Sequence, residues 1–401
     1  MLTILAALAA GCGKPAPAGT TFGEDLAFLQ QHTDVVVLQG EDARAQVAVV
    51  PAYQGRVMTS TAGGEGGLSF GWINRELVAS GERLAHINTF GGEDRFWLGP
   101  EGGQFSIFFQ GGDPFDLDHW QTPAPIDWGA WRVVWQDESS VRLRTRCSLT
   151  NYSGTPFELE IERSVRLLDR AGALGALNIS LPASVRLVAF ETENRVTNTG
   201  SRAWDSRSGL LSIWILGMFN PSPATTVVVP FQGGAGLAPE AVVNDAYFGR
   251  VPSDRLVVRT DQGVLFFKGD GLYRSKIGIN RLHARPLLAS WDADHEVLTL
   301  AQFTLPDEAT DYVNSMWEIQ ANPYQGDVAN SYNDGPASPG AKPLGPFYEL
   351  ESSSPALSLA SGGSGVHIHR TFHLRGKASE LDSVVRRLLG VSIADIEGAF
   401  K

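Results

Sequence analysis

Near the end of the chain, His367, His369 and His373 occupy odd positions of the run GVHIHRTFHL, and Glu349 and Glu351 occupy odd positions of FYELE. Residues two apart share one face of a β-strand, so each set would line a single side of its strand. Carboxylates beside imidazoles are the residue types of general acid–base chemistry. If the two runs pair as an unbulged hairpin about Gly363, Glu349, Glu351, His367 and His369 fall on one face, with Glu351 or Glu349 as base beside His369. The His-x-His pair 367 and 369 also has a spacing that zinc can use. No second His or Cys motif completes such a set, so no metal is assigned.

A second concentration lies in Ala85 to Phe109, where His86, Glu93, Arg95, Trp97 and Glu101 are interleaved with five glycines. Hydrogen-bonding groups beside an indole suit a sugar, whose hydroxyls take polar partners while its apolar ring face stacks on an aromatic. The other reading of this segment is a glycine-rich loop with Trp97 in the core. Asp118, His119 and Trp120 follow in a proline-rich stretch. Trp317 to Gly335 adds Trp317, Glu318, Asn322, Tyr324, Asp327, Tyr332, Asn333 and Asp334. Its many oxygens raise calcium as a rival, but their spacing fits no calcium loop. His86, His119 and Trp120 thus join the candidates from 317 to 335 as groups that would contact a saccharide.

The elements that must hold these residues are read as mostly strands. The chain has 401 residues, 43% hydrophobic, with 44 Gly and 22 Pro, and short β-branched and aromatic runs recur along it. This predicts an all-β chain of two packed sheets, with strands that include 140–150, 157–168, 211–219, 297–305, 347–351 and 365–374. In FELEIERSV the alternation puts Phe157, Leu159, Ile161 and Arg163 on one side and acids on the other, as for a strand with one wet face. Helices are expected only at 21–32 and at 379–390, where Ser379 would cap and Gly390 would stop the helix. The segments 85–109 and 314–346 are expected to be loops. The formal charge of −12, with no basic run, makes nucleic acid an unsuitable partner.

Residues 1–11 read as a signal peptide ending in Ala9, Ala10 and Gly11 before Cys12, and 12–20 as a Pro-containing tether. Residues 21–401 then form a single domain. The run LAAGC resembles a bacterial lipoprotein box, which implies a lipid on Cys12, attachment to the membrane through that lipid alone, and a place in the cell envelope, periplasmic or at the surface. An ordinary cleaved signal with an incidental cysteine is the other reading. Cys147 is expected to be an inert thiol. Sequence leaves the oligomeric state open.

The motifs AYQGRVMTSTAGG, FGGEDRFW, NYSGTPFELEIERSVRLL and FYELESSSPALSLASGGSG occur in an order similar to that of galactose-mutarotase-like proteins. FGGEDRFWLGPEGGQFSIFF, SIWILGMFNPS, YRSKIG and NSYNDGP look more like a family of uncharacterised bacterial lipoproteins related to that superfamily. The resemblance implies a large β-supersandwich whose concave sheet binds carbohydrate, with no cofactor. It implies a late-strand Glu as base, for which Glu351 or Glu349 stands in place, and an early Arg at Arg95. It also places Lys276 of YRSKIG among the substrate-binding residues. The superfamily's epimerases use a His soon after the segment matching NYSGTPF. This chain has none there, so His86, His119 or His369 would substitute. Expected functions are therefore a carbohydrate epimerase, lyase or hydrolase, or a carbohydrate-binding surface lipoprotein without turnover.

Overall fold

The computed structural model describes residues 19–40 and 43–401. Cys12, the segment read as a signal peptide and most of the stretch read as a tether lie outside them. The described chain is mostly β, in three antiparallel sheets of ten, six and three strands. Among the described residues no helix is long and apolar enough to cross a membrane.

The ten-stranded sheet runs in spatial order Leu256–Arg259, Val264–Lys268, Thr225–Pro230, Leu287–Asp292, Val297–Phe303, Ser364–Arg375, Arg186–Asn198, Pro156–Leu167, Ser140–Thr150, Arg132–Gln136. The six-stranded sheet runs Val243–Asn244, Ser275–Asn280, Asp327–Asn333, Tyr348–Ser353, Ser212–Phe219, Arg95–Gly99. The alternation read in Phe157, Leu159, Ile161 and Arg163 is observed: all four are fully buried, while Glu158 is exposed. These side chains pack inward because the opposite face of their strand meets water.

One face of the six-stranded sheet covers the ten-stranded one. Ile277, Ala329 and Leu350 pack there against Val227, Leu265, Phe267, Leu288 and Ala301. The outer face of the ten-stranded sheet is closed by helices Arg170–Leu177, Ala378–Leu389 and Ile393–Glu397. The first helix, Phe22–His32, begins at Thr21, whose side chain accepts from the Glu24 N–H in a capping box. The late helix starts after Lys377, whose N–H donates to Glu380, so Ser379 lies inside its first turn instead of capping it. Gly390 ends it at φ 78°.

Several expectations require correction. The described residues form three sheets where two are expected, and they add helices to the two expected ones, among them Arg170–Leu177, which packs on the ten-stranded sheet. The runs 347–351 and 365–374 are strands but not a hairpin. Tyr348–Ser353 belongs to the six-stranded sheet and Ser364–Arg375 to the ten-stranded one, because the segment between them crosses from one layer to the other. The segment 85–109, expected to be a loop, contains the strand Arg95–Gly99, and 314–346 contains Asp327–Asn333. Arg95–Gly99 is buried throughout, so it shows no two-residue alternation. Asp327–Asn333 carries polar residues on both faces, which hides it in the same way.

Candidate functional site

Strand register builds the site. Arg95 lies opposite Leu216, Trp97 opposite Trp214, Glu349 opposite Met218 and Glu351 opposite Leu216. Tyr332 lies opposite Glu349 and Lys276 opposite Tyr332. Paired residues in a sheet share a face, so Arg95, Trp97, Trp214, Glu349, Glu351, Tyr332 and Lys276 all project from the face turned away from the ten-stranded sheet. The motif FGGEDRFW delivers Arg95 there through Gly91 and Gly92, whose φ of 97° and 104° favour glycine. A Cβ on Gly91 would stand 2.1 Å from the Trp72 carbonyl oxygen.

The result is a cavity of about 190 Å³ lined by Arg95, Trp97, Trp120, Trp214, Lys276 and Glu349, among others. That is below the roughly 300–1,000 Å³ of drug-sized sites and suits a small ligand. The indoles form its walls. The Trp97 and Trp214 rings meet edge to face at 5.5 Å, and Trp120 stacks on Trp317 at 5.9 Å.

Charge is arranged in pairs on the floor. Arg95 Nη2 donates to Glu349 Oε1 at 3.0 Å. Glu351 Oε2 accepts from Lys276 Nζ at 2.9 Å and from Trp214 Nε1 at 3.0 Å, while its Oε1 has no partner. Burial pushes Glu349 up to about 8, with the adjacent Glu351 adding to the effect and Arg95 opposing it. Burial alone would lower Lys276, but Glu351 and Glu101 together hold it above its usual value. Glu101 is raised by burial, against the pull of Lys276. The site therefore holds one carboxyl that stays protonated near neutrality beside a second that is clamped by a cation, an arrangement able to give and take a proton.

The raised Glu349 has a consequence for stability. Between its ordinary 4.5 and about 8, the folded carboxyl keeps a proton that the unfolded chain has released. Its contribution is complete below 4.5 and is lost as the pH rises through about 8, so stability falls with pH across that window. Glu349→Gln cannot ionise and is expected to flatten this fall. Urea unfolding of both proteins at several pH values would show it, and parallel stability curves would refute it.

The chain matches a family of unknown function, DUF6786, over residues 20–400. It belongs to that family. No curated protein matches it. Among solved structures it is similar to the Slr1438 protein from Synechocystis sp. PCC 6803, with a TM-score of 0.50 and 15% identity over 86% of this chain and 96% of that one. It is also similar to a galactose mutarotase-like protein from Lactobacillus casei ATCC 334, with a TM-score of 0.48 and 12% identity over 85% and 100%. A putative aldose 1-epimerase from Escherichia coli K12 gives 0.46 and 12% over 85% and 98%. These likenesses are of fold.

In this DUF6786 member, Glu349, Glu351, Arg95, Trp97, Lys276, Trp120 and Trp317 come together from the sequence candidates. The histidines do not join them. His367 and His369 lie between the two sheets, where both rings share the Ser352 hydroxyl at 2.8 Å. Ser352 alternates with Glu351, so the imidazoles stand behind the strand that carries the carboxylates. Burial holds His367 down to about 3 and His369 to about 4, so both are neutral. Glu93 is in the same layer, bonded to His373.

His86 is exposed and bonds the Trp120 carbonyl at 2.7 Å, while exposed His119 bonds Asp116 and lines a separate depression. Glu318 and Asn322 are exposed, and the Tyr324 hydroxyl donates to the Ser206 carbonyl at 2.8 Å. Asn333 is buried on the face opposite Tyr332 and braces Gly271 and Tyr273. Among the described residues no group of three or more His, Cys, Asp or Glu could hold a metal ion. Trp214 and Arg274 escape a residue-by-residue reading of the sequence. Trp214 shares parity with Leu216 and Met218 in SIWILGMF, and Arg274 shares it with Lys276 in YRSKIG; a Trp or a repeated cation on one face of a strand is the available signal.

Proposed function

We propose that the chain is a carbohydrate-active enzyme that moves a proton at a carbon of a single sugar ring held in this cavity. The observation that carries the reading is the pair Glu349 and Glu351, adjacent on one strand face but in opposed environments. The indole walls supply stacking surface for the apolar face of a sugar, and the motif resemblance to mutarotase-like proteins agrees with that ligand. Glu351 Oε1, without a partner, takes the proton. Its other oxygen is fixed by Lys276 and Trp214, which keeps the carboxylate oriented. Protonated Glu349 returns a proton to the substrate, and the Arg95 and Lys276 cations favour negative charge developing on a substrate oxygen.

Epimerisation or elimination is favoured over glycoside hydrolysis. Hydrolytic carboxylate pairs stand about 5–5.5 Å or about 6.5–9.5 Å apart to flank the scissile bond. Glu349 and Glu351 stand two residues apart on one strand face, side by side on the same side of the ligand, and so do not flank a bond. The test is a panel of monosaccharides and short glycans followed by product analysis by NMR. Turnover by isomerisation or by double-bond formation supports the reading. Saturable binding without product on any bound sugar assigns a binding module instead.

We also propose that Cys12 carries the lipid that ties the chain to the cell envelope, on the strength of Ala9, Ala10 and Gly11 before it. Labelled fatty acid is expected in the wild type and absent from Cys12→Ser. Incorporation that persists in the variant overturns this.

A further inference from the structure

Unpartnered polar atoms say what kind of group the cavity lacks. Three buried donors on its walls, Arg95 Nε, Trp97 Nε1 and Trp120 Nε1, have no hydrogen-bond partner, and their residues are 3%, 3% and 9% exposed. A buried donor without an acceptor is costly and marks a place where a ligand atom completes the bond. Against these three, the floor offers one unpartnered buried acceptor, Glu351 Oε1. A neutral hydroxyl can accept as well, through its two lone pairs, but it brings a donor that must also be placed and accepts more weakly than a charged oxygen. An oxyanion brings acceptors alone.

Charge at the wall points the same way. Arg274 lines the cavity with its guanidinium 3.8 Å from the centroid of the Phe248 ring. Among the described residues no carboxylate forms an ion pair with it within 4.0 Å. Its acidic neighbour Asp334 is engaged elsewhere, accepting from the Tyr332 hydroxyl at 2.6 Å and from the Gly345 N–H at 2.9 Å. Arg95 and Lys276, on the same cavity, are already paired with Glu349 and Glu351, which leaves Arg274 as a cation of the wall without a carboxylate partner.

We propose that the sugar taken by this cavity bears an oxyanion, held by the free N–H groups of Arg95, Trp97 and Trp120 with Arg274 at the wall. The proposal rests on the carbohydrate reading and names its substrate class. A charge-assisted hydrogen bond exceeds a neutral one by enough to separate the charged and neutral forms of one sugar by roughly 10- to 100-fold in affinity.

Calorimetric titration of the full chain tests this with glucose and galactose against glucuronate and galacturonate, and against the 6-sulfate and 6-phosphate of glucose. Tighter binding of an acidic form than of its neutral parent, weakening as salt is raised, supports the proposal, and the arm that binds best identifies the oxyanion. Arg274→Gln is expected to reduce the ratio of acidic to neutral affinity by about tenfold. Its side chain is partly exposed at the wall, and a melting curve of the variant separates lost binding from lost structure. Equal or tighter binding of the neutral sugars overturns the proposal and leaves the carbohydrate reading standing. Binding of none of these sugars, neutral or acidic, removes both.

Discussion

Arg163→Leu is expected to lower the melting temperature by on the order of 5–10 °C. Arg163 and Asp94 form an ion pair in which both side chains are fully buried. The guanidinium also donates to the Gly55 carbonyl at 3.1 Å and to Asn194 Oδ1 at 2.6 Å, and Asp94 Oδ2 accepts from the Thr192 hydroxyl at 3.0 Å. Removing one partner leaves a charge in the interior without compensation, at a cost of about 3–5 kcal/mol. Asp94→Asn removes the charge that would be stranded. Arg163→Leu should therefore cost less in that background, and a double-mutant cycle by thermal and urea unfolding measures the coupling. A single-variant loss below about 1 kcal/mol would show that the pair is not what holds the two sheets together at this point. Arg163 also donates to the Asp94 backbone carbonyl at 3.2 Å, next to Arg95. Ligand affinity is expected to drop with stability.

Glu351→Gln is expected to cut turnover by about 10²- to 10⁴-fold while sugar binding persists. The amide keeps an oxygen that can accept from Lys276 and Trp214, so the geometry of the floor survives, but it cannot take a proton at the position of Oε1. Glu349→Gln removes the proton donor instead. Activity in the wild type should decline as the pH rises through about 8, where Glu349 loses its proton. The pH–rate profile of Glu349→Gln should lack that limb. Retention of more than about a tenth of the wild-type rate in Glu351→Gln would move the base elsewhere. A spectroscopic melting curve for each variant separates lost chemistry from lost structure.

Much of the frame is legible in the residues. Ser140–Thr150 has the bounds its alternation predicts, and Pro156–Leu167 and Ser364–Arg375 match theirs to within a residue or so, because one face of each meets apolar core and the other meets water or polar cover. Glu349 and Glu351 are legible as chemistry because two carboxylates share parity in one strand, and Arg95 because it stands in a segment dense in polar groups beside an indole. Parity gives which residues of a strand share a face, but not which face is buried: His367 and His369 are enclosed between the sheets and Val366 is exposed. What parity does not contain is which strands are neighbours. Successive strands joined by a glycine-containing turn read as a hairpin, and nothing in SSSPALSLASGG marks it as a crossing between layers. A hairpin reading thereby puts the histidines on the wrong side of the carboxylate strand. Arg95–Gly99 and Asp327–Asn333 escape because a strand covered on both faces, or polar on both, has no contrast to read.

The sharing of one serine hydroxyl between His367 and His369 fastens the Tyr348–Ser353 strand from behind. The strand's position is thus set by a layer that never meets the ligand, much as a dial is mounted on a plate. Apolar positions that face the cavity without bonding its charged groups, such as Leu117, Leu216, Met218 and Leu344, can be varied as an interchangeable lining, whereas Trp214, which holds Glu351, and Leu350 and Ser352 belong to the mounting. A library confined to the lining is accordingly the rational route to a redirected sugar preference, because it changes what is held without loosening the holder.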